Sequence, residues 1–345
     1  MEEEEVRELR QLAQRQNASI DALVGALRAE RRRPPPPASS SSFSSWRPVR
    51  LGREDWVIYL RIQKTGSQTL WLTLVDVFDG SVWGSSSRCA KGPFCGFRCD
   101  GVLAEAYRTQ RGCQLFVRAH ANVYDHRRAA ELNGIPGRNL RFLAVLRDPV
   151  KRALSEHEHV TKGLVAQFGP HAFGKAWDYD FTDRRAASLE DWLNCPLCEI
   201  GASNRQTRFL AGLATTGVVE HANDTRRLLD AALATLRACD FVGVLEEFPE
   251  SMLLLRETFP THLKRFTSYA VSLHPKGQQS PKKPPVPPPP VLDRLRDMNA
   301  LDLELYDAAV DILHRRWASM LASLPPERRD LRFRPRHGGT RYVLS

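Results

Sequence analysis

The run Trp56-Val-Ile-Tyr-Leu-Arg-Ile62 passes without a break into Gln63-Lys-Thr-Gly-Ser-Gln-Thr69, and then into Leu70-Trp-Leu-Thr-Leu-Val-Asp-Val-Phe78. An apolar, β-branched run of this kind is the pattern of a strand buried on both faces, as in a parallel sheet covered by helices. A small polar loop between such a strand and a helix start is an anion site in waiting. Loop amides converge there, and the helix dipole adds positive potential. Lys64 brings a full charge, and Thr65, Ser67 and Thr69 bring hydroxyl groups. The nucleotide-triphosphate loop Gly-x-x-x-x-Gly-Lys-Ser/Thr fits only at Lys64-Thr65, because Ile58 and Gln63 stand where its glycines are required.

A second strand is expected over Leu140-Arg-Phe-Leu-Ala-Val-Leu146, ending in Arg147-Asp-Pro-Val-Lys-Arg-Ala-Leu-Ser155. Open α/β sheets bind ligands at the carboxyl ends of their strands, which is where Arg147 leaves the sheet. Pro149 suits the first turn of a helix, and Ser155 lies about two turns along it. Arg offers a planar fork for a phosphate and Ser adds a hydroxyl. Two anion sites on one sheet point to a ligand phosphorylated at both ends.

Histidine supplies near-neutral acid–base chemistry. His120, His126, His157, His159 and His171 fall within a short span, and His120 closes the apolar run Leu115-Phe-Val-Arg-Ala-His120. That position predicts a strand end beside the other two, so His120 is the candidate general base. A satisfied structural histidine is the competing reading. His157 and His159 lack the carboxylate pattern that would complete a metal site.

The chain carries 50 Lys+Arg against 40 Asp+Glu, a formal charge of +10, which favours anionic partners without choosing among nucleic acid, acidic lipid, nucleotide and polysaccharide. Its seven cysteines include two clusters, so disulfides are expected and at least one thiol is left over. Cys195-Pro-Leu-Cys198 has no second pair at zinc-finger spacing. The sequons Asn17-Ala-Ser19 and Asn223-Asp-Thr225 lean towards a secretory compartment and a glycoprotein. No stretch of about 18 apolar residues is present to span a bilayer. The acidic opening Met1-Glu-Glu-Glu-Glu5 is unlike a signal peptide, so the reading is a chain without its targeting segment, against a cytosolic one.

Residues 1–32 read as a helical stalk. Val6, Leu9, Ala13, Gln16, Ile20, Leu23 and Leu27 keep heptad spacing, which allows either a weak coiled coil that self-associates through residues 6–27 or a solvated helix. Residues 33–54 are a Pro/Ser-rich linker, and residues 55–322 the globular domain. Within the domain, a polyproline loop is expected at 275–291, then one amphipathic helix over about Leu292 to Leu321. Residues 323–345 read as an exposed basic tail.

Ile62-Gln-Lys-Thr-Gly66, Arg147-Asp-Pro-Val150 with Leu154-Ser-Glu156, Asn204-Arg-Gln-Thr-Arg208 and Leu301-Asp-Leu-Glu-Leu-Tyr-Asp307 together resemble, in order, segments of the heparan sulfate 6-O-sulfotransferases. The similarity runs from about Asp55 to Trp317. It implies an α/β fold of the P-loop-like sulfotransferase type, with a central parallel sheet flanked by helices. It implies 3'-phosphoadenosine-5'-phosphosulfate as donor, with no metal required, and an anionic polysaccharide rather than nucleic acid as acceptor. The loop Ile62, Gln63, Lys64, Thr65, Gly66, Ser67, Gln68 and Thr69 would hold the 5'-phosphosulfate, with Lys64 stabilising the leaving phosphate. Arg147 and Ser155 would hold the 3'-phosphate.

The same resemblance sets Ala119-His-Ala121 where the family carries its base, assigning that role to His120. It gives His159 a contact with the sugar, and Ser268 and Tyr269 of Phe266-Thr-Ser-Tyr269 a place on the donor nucleotide; a bridge in the core is the other reading of that segment. It also implies a membrane-anchored protein of the Golgi lumen. The chain departs from the family at Ser67 and Gln68, where a second Gly and a Thr are usual. It departs more on the acceptor side, near Leu115 and Ala166 and after His120. Rival readings are another acceptor (a different glycan or a tyrosine), a kinase or nucleotidase, and an inactive basic glycan-binding protein.

Overall fold

In the computed structural model, five short strands lie side by side, all parallel: β1 (Trp56–Leu60), β2 (Ser81–Trp83), β3 (Gln114–Phe116), β4 (Leu140–Leu146) and β5 (Phe241–Val244). The structure describes residues 46–67, 69–70, 73–74, 78, 81–83, 114–116, 122–159, 161, 188–194, 199–212, 225–263, 271–272, 286–326, 333–335 and 341–344. Their order is β2-β3-β1-β4-β5, which puts the strand of the Lys64 loop at the centre, with Trp56 opposite both Gln114 and Leu140. All five residues of β1 are buried, as a strand covered on both faces requires. A separate antiparallel sheet of β6 (Val271–Ser272), β7 (Phe333–Pro335) and β8 (Arg341–Leu344) takes in residues expected to be a free tail.

The helices are α1 (Val123–Leu132), α2 (Pro149–Glu158), α3 (Leu189–Asn194), α4 (Glu199–Ala202), α5 (Arg205–Leu210), α6 (Thr225–Ala238), α7 (Phe248–Thr258), α8 (Pro289–Met298) and α9 (Ala300–Ser323). α7 and α9 pack on β5, and α9 also meets α5 and α6. Leu305, Ala309, Ile312, Leu313 and Met320 of α9 enter the main core with β1, β4 and β5. A smaller core of Ala153, Trp192, Leu193, Ala202 and Leu295 joins α2 to α3, α4 and α8. The architecture is therefore α/β, a parallel sheet flanked by helices, as the strand patterns predict.

Two boundaries differ from the sequence reading. The single expected helix over Leu292–Leu321 is two helices broken at Asn299, and the first begins at Pro289, inside the expected loop. Asn299 (φ −116°, ψ 26°) is fully buried, and its side-chain amide donates to the carbonyls of Ala202 (2.8 Å) and Leu295 (2.9 Å). Its oxygen accepts the Asn204 N–H at 3.0 Å. Those contacts lie between helices, so amphipathic periodicity does not reveal them.

The break builds a knot between two helix starts. Asn204 (φ +43°) accepts the N–H groups of Leu301 (3.0 Å) and Asp302 (3.1 Å) at the start of α9. In return the buried Asp302 carboxylate accepts the N–H of Gln206 (3.1 Å), and the N–H and hydroxyl of Thr207 (2.7 Å each), at the start of α5. Each helix caps the other, and its first amides gain acceptors they would otherwise lack. Elsewhere, Arg316 of α9 reaches the carbonyls of Cys239 (3.0 Å) and Asp240 (3.2 Å), while Asp240 accepts the Phe142 N–H at 3.0 Å. Cys239 is a buried free thiol, its pKa raised to about 12 by burial. Residues 1–45, with the expected stalk and Asn17, lie outside the described residues, as do Asn223 and the cysteines other than Cys239.

The knot makes Asp302 a strong determinant of stability. Asp302→Ala strands three buried donors and should cost about 3 kcal/mol or more, read as a lowered urea midpoint. Thr207→Val loses one of the three acceptances at Asp302 and should cost about 1 kcal/mol.

Candidate functional site at the strand ends

β1 ends at Leu60, and the chain turns at once, the Ile62 N–H donating to the Leu60 carbonyl at 2.9 Å. The Thr65 hydroxyl donates back to the Ile62 carbonyl at 3.1 Å. The backbone at Lys64 (φ +64°) and Gly66 (φ +75°) is left-handed. This conformation costs an L-residue about 1–2 kcal/mol, so its adoption by Lys64 is backbone strain of the kind that clusters at binding sites. The Gly66 carbonyl accepts the Leu70 N–H at 3.1 Å, so a helical turn opens directly from the loop. The geometry is the strand–loop–helix of an anion cradle.

Thr65 is fully buried, with its hydroxyl committed to Ile62 and set beside the buried Tyr59 phenol. Its backbone amide, not its side chain, is the group left to face a ligand. Gln63 likewise points inward, its carbonyl oxygen accepting Arg205 Nη2 at 2.6 Å. Lys64 is half-buried and its pKa is lowered, chiefly by desolvation. Glu156 and Glu158 oppose that shift, while the charges of Arg147 and Arg152 add to it.

Arg147 follows β4 directly, and its Nη1 donates to the Lys64 carbonyl at 3.0 Å. The two loops expected to bind anions thus lie side by side, joined by this bond. Burial works against the Arg147 charge and the Glu246 carboxylate supports it. Asp148 caps α2 through the Lys151 N–H at 2.8 Å, and Pro149 takes the first helical position as expected. Glu246 accepts the Asp148 N–H (3.2 Å) and the Tyr306 hydroxyl (3.1 Å), with Lys151 Nζ 3.9 Å away.

Ser155 is half-buried on α2, and Glu156, one residue on, is buried 3.8 Å from the fully buried Arg152. His159 ends α2, its N–H donating to the Ser155 and Glu156 carbonyls. Burial lowers its pKa, the Lys64 charge lowers it further, and Glu156 opposes both, so His159 belongs to the Lys64 environment. His157 turns instead to Trp192, ring centroids 5.5 Å apart. His126 is a core residue, fully buried and held neutral with a pKa lowered to about 3 by desolvation. His120, Gln68, Ser268 and Tyr269 lie outside the described residues. Among those described, no group of three or more His, Cys, Asp or Glu side chains could hold a metal, and no helix is long and apolar enough to cross a membrane.

Arg205 and Gln206 lie in a segment that resembles the family, but their sequence context assigns them no role, and nothing in it singles out Glu246. Gln206 pairs with both backbone groups of Arg147, accepting its N–H at 3.0 Å and donating to its carbonyl at 2.8 Å. The available signal was the dense polar segment Asn204-Arg-Gln-Thr-Arg208, which is buried almost throughout.

A parallel α/β sheet with two cationic loops bonded together at adjacent strand ends is an arrangement suited to anionic ligands. Comparison with known proteins is consistent with that class and narrower. The chain is similar to heparan-sulfate 6-O-sulfotransferase 2 of Gallus gallus, 28% identical over 298 residues, which cover 77% of this chain and 69% of that protein. It is 27% identical to heparan-sulfate 6-O-sulfotransferase 2 of Homo sapiens over 290 residues, 77% of this chain and 46% of the relative. Heparan-sulfate 6-O-sulfotransferase 1 of Homo sapiens is 27% identical over 285 residues, 76% of this chain and 67% of the relative. The chain thus aligns with about half to two thirds of the length of these relatives. No family model matches it.

Gly66→Ala adds a Cβ at φ +75° that would lie 2.4 Å from Leu245 Cδ1. It should cost about 1–3 kcal/mol in a urea melt and weaken anion binding at the loop. The lowered His159 pKa makes a second prediction. Since the unfolded histidine takes up its proton first, stability should fall as pH drops below about 6.5 and level off below the folded pKa. His159→Gln, neutral throughout, should shrink the loss of melting temperature between pH 7 and pH 5.

Proposed function

We propose that the chain transfers a sulfuryl group from 3'-phosphoadenosine-5'-phosphosulfate to a hydroxyl of an anionic polysaccharide, at the 6-O position of a heparan-sulfate-like glycan. The observation that carries this reading is the bond from Arg147 Nη1 to the Lys64 carbonyl. It sets two cationic loops side by side at adjacent strand ends, as a donor phosphorylated at both its 5' and 3' positions requires. The similarity to proteins named heparan-sulfate 6-O-sulfotransferases supports the sugar and the position.

In this reading the amides of the loop from Ile62 to Thr69 and the Lys64 ammonium hold the 5'-phosphosulfate. The partial desolvation that lowers the Lys64 pKa also strengthens its pull on an anion. Arg147 and Ser155 hold the 3'-phosphate, and Ser268 and Tyr269 lie against the nucleotide. His120 takes the proton of the acceptor hydroxyl as its oxygen attacks sulfur in line. The bond from sulfur to the 5'-phosphate oxygen breaks, Lys64 neutralises the charge that builds there, and 3'-phosphoadenosine-5'-phosphate leaves. His159, near Lys64 and uncharged at neutral pH, can hydrogen-bond a sugar hydroxyl without repelling the ammonium. In this reading the reaction belongs to the Golgi lumen, on a membrane-anchored enzyme.

The test is transfer of radiolabelled sulfate from the donor to desulfated heparan, chondroitin and a no-acceptor control. Label at the 6-O position of heparan is expected. Label in another glycan would change the acceptor, and absence of both label and 3'-phosphoadenosine-5'-phosphate binding would overturn the reading. His120→Ala should lower kcat by about 100-fold or more with nucleotide affinity retained, whereas Lys64→Met should weaken nucleotide binding as well.

A further inference from the structure

Two consecutive residues of α5 reach the two loops of the site. Arg205 is buried and donates from Nη2 to the side-chain oxygen of Gln63, at 2.6 Å. Gln206 is fully buried and binds both backbone groups of Arg147. A backbone N–H only donates and a carbonyl only accepts, so this two-point pairing fixes which way the amide faces. Arg147 lies one residue beyond Leu146, the last residue of β4 in register with β5. The Gln206 side chain therefore continues the ladder where the strands stop.

α5 does not offer its own first amides to a ligand, because Asp302 already accepts those of Gln206 and Thr207. What it offers is a fixed spacing. Its start is tied by Asn204 and Asp302 to the start of α9, which packs on β5 of the same sheet. A residue so anchored transmits position rather than charge.

We propose that Arg205 and Gln206 are positioning residues which set the separation of the Lys64 and Arg147 loops, and so select a nucleotide carrying phosphates at both 5' and 3' positions over one carrying only the 5'-phosphate. The inference rests on the donor reading above and adds its specificity determinant. Gln206 acts through the backbone of Arg147, and so mainly on the 3'-phosphate, with a lesser effect passed to the 5' loop by the Arg147 bond to the Lys64 carbonyl. Arg205 acts through Gln63, on the 5' loop that every such nucleotide uses.

The experiment measures binding of 3'-phosphoadenosine-5'-phosphate and of 5'-AMP to the full chain by calorimetry. Gln206→Met keeps the volume and removes both bonds. It should weaken the bisphosphate about tenfold and 5'-AMP far less, while Arg205→Met should weaken both alike. Amide hydrogen exchange at Arg147 should speed up in Gln206→Met. Should that variant fold poorly, Gln206→Asn keeps a neutral amide but shortens its reach to Arg147, and should likewise weaken the bisphosphate more than 5'-AMP. Equal losses for both nucleotides in the Gln206 variants, or unchanged exchange at Arg147, would overturn the proposal. If the unaltered protein binds neither nucleotide, the donor reading falls, and exchange at Arg147 alone decides whether Gln206 holds the loop.

Discussion

The carboxylate of Asp302 is where the site's geometry begins. It is fully buried, and it is made tolerable by three donors from Gln206 and Thr207. Those donors fix the first turn of α5, the first turn fixes Arg205 and Gln206, and these in turn fix Gln63 and Arg147. The chain of dependence runs from one anion, far along the sequence, to the cations that face a ligand. It uses only short hydrogen bonds, each of which leaves little freedom in distance or angle.

The electrostatics of the strand ends follow the same logic. Lys64, Arg147 and Arg152 repel one another in a partly dry setting, and each arginine has a compensating oxygen. Arg147 has the Lys64 carbonyl, Arg152 has the Gly201 carbonyl at 2.5 Å and the Glu156 carboxylate, and Glu246 lies within reach of the Arg147 charge. The carbonyl oxygens carry only partial charge and steady the cations without neutralising them, while Glu156 and Glu246 supply full negative charge.

Much of this could be seen in the sequence because it is locally encoded. The Trp56–Leu60 strand, the turn into a helix, the whole of Leu140–Leu146 and the Pro149 helix start each follow from neighbours within one element. The direction in which Thr65 and Gln63 point could not be seen, since a threonine hydroxyl satisfies a loop carbonyl or a ligand equally well until the turn is known. Asn299 was hidden because α8 and α9 share one amphipathic run, and the break is imposed by contacts to Ala202 and Asn204. The partners of Arg205 and Gln206 are distant in sequence and polar, and no periodicity reports such pairs. Two of the segments that carry the family resemblance, Asn204–Arg208 and Leu301–Asp307, turn out to be bonded to each other.

The central place of β1 has a consequence for how the chain comes into being. Trp56–Leu60 leaves the ribosome first among the strands, yet its two neighbours, β3 and β4, are made much later. Until then a wholly apolar strand, meant to be covered on both faces, has neither edge paired nor face sheltered. Parallel pairing across long separations is slow to form, and exposed strands in this state invite association with other chains. Synthesis therefore passes through an interval in which this strand is unpaired, and the length of that interval is set by the position of Leu140–Leu146 in the message.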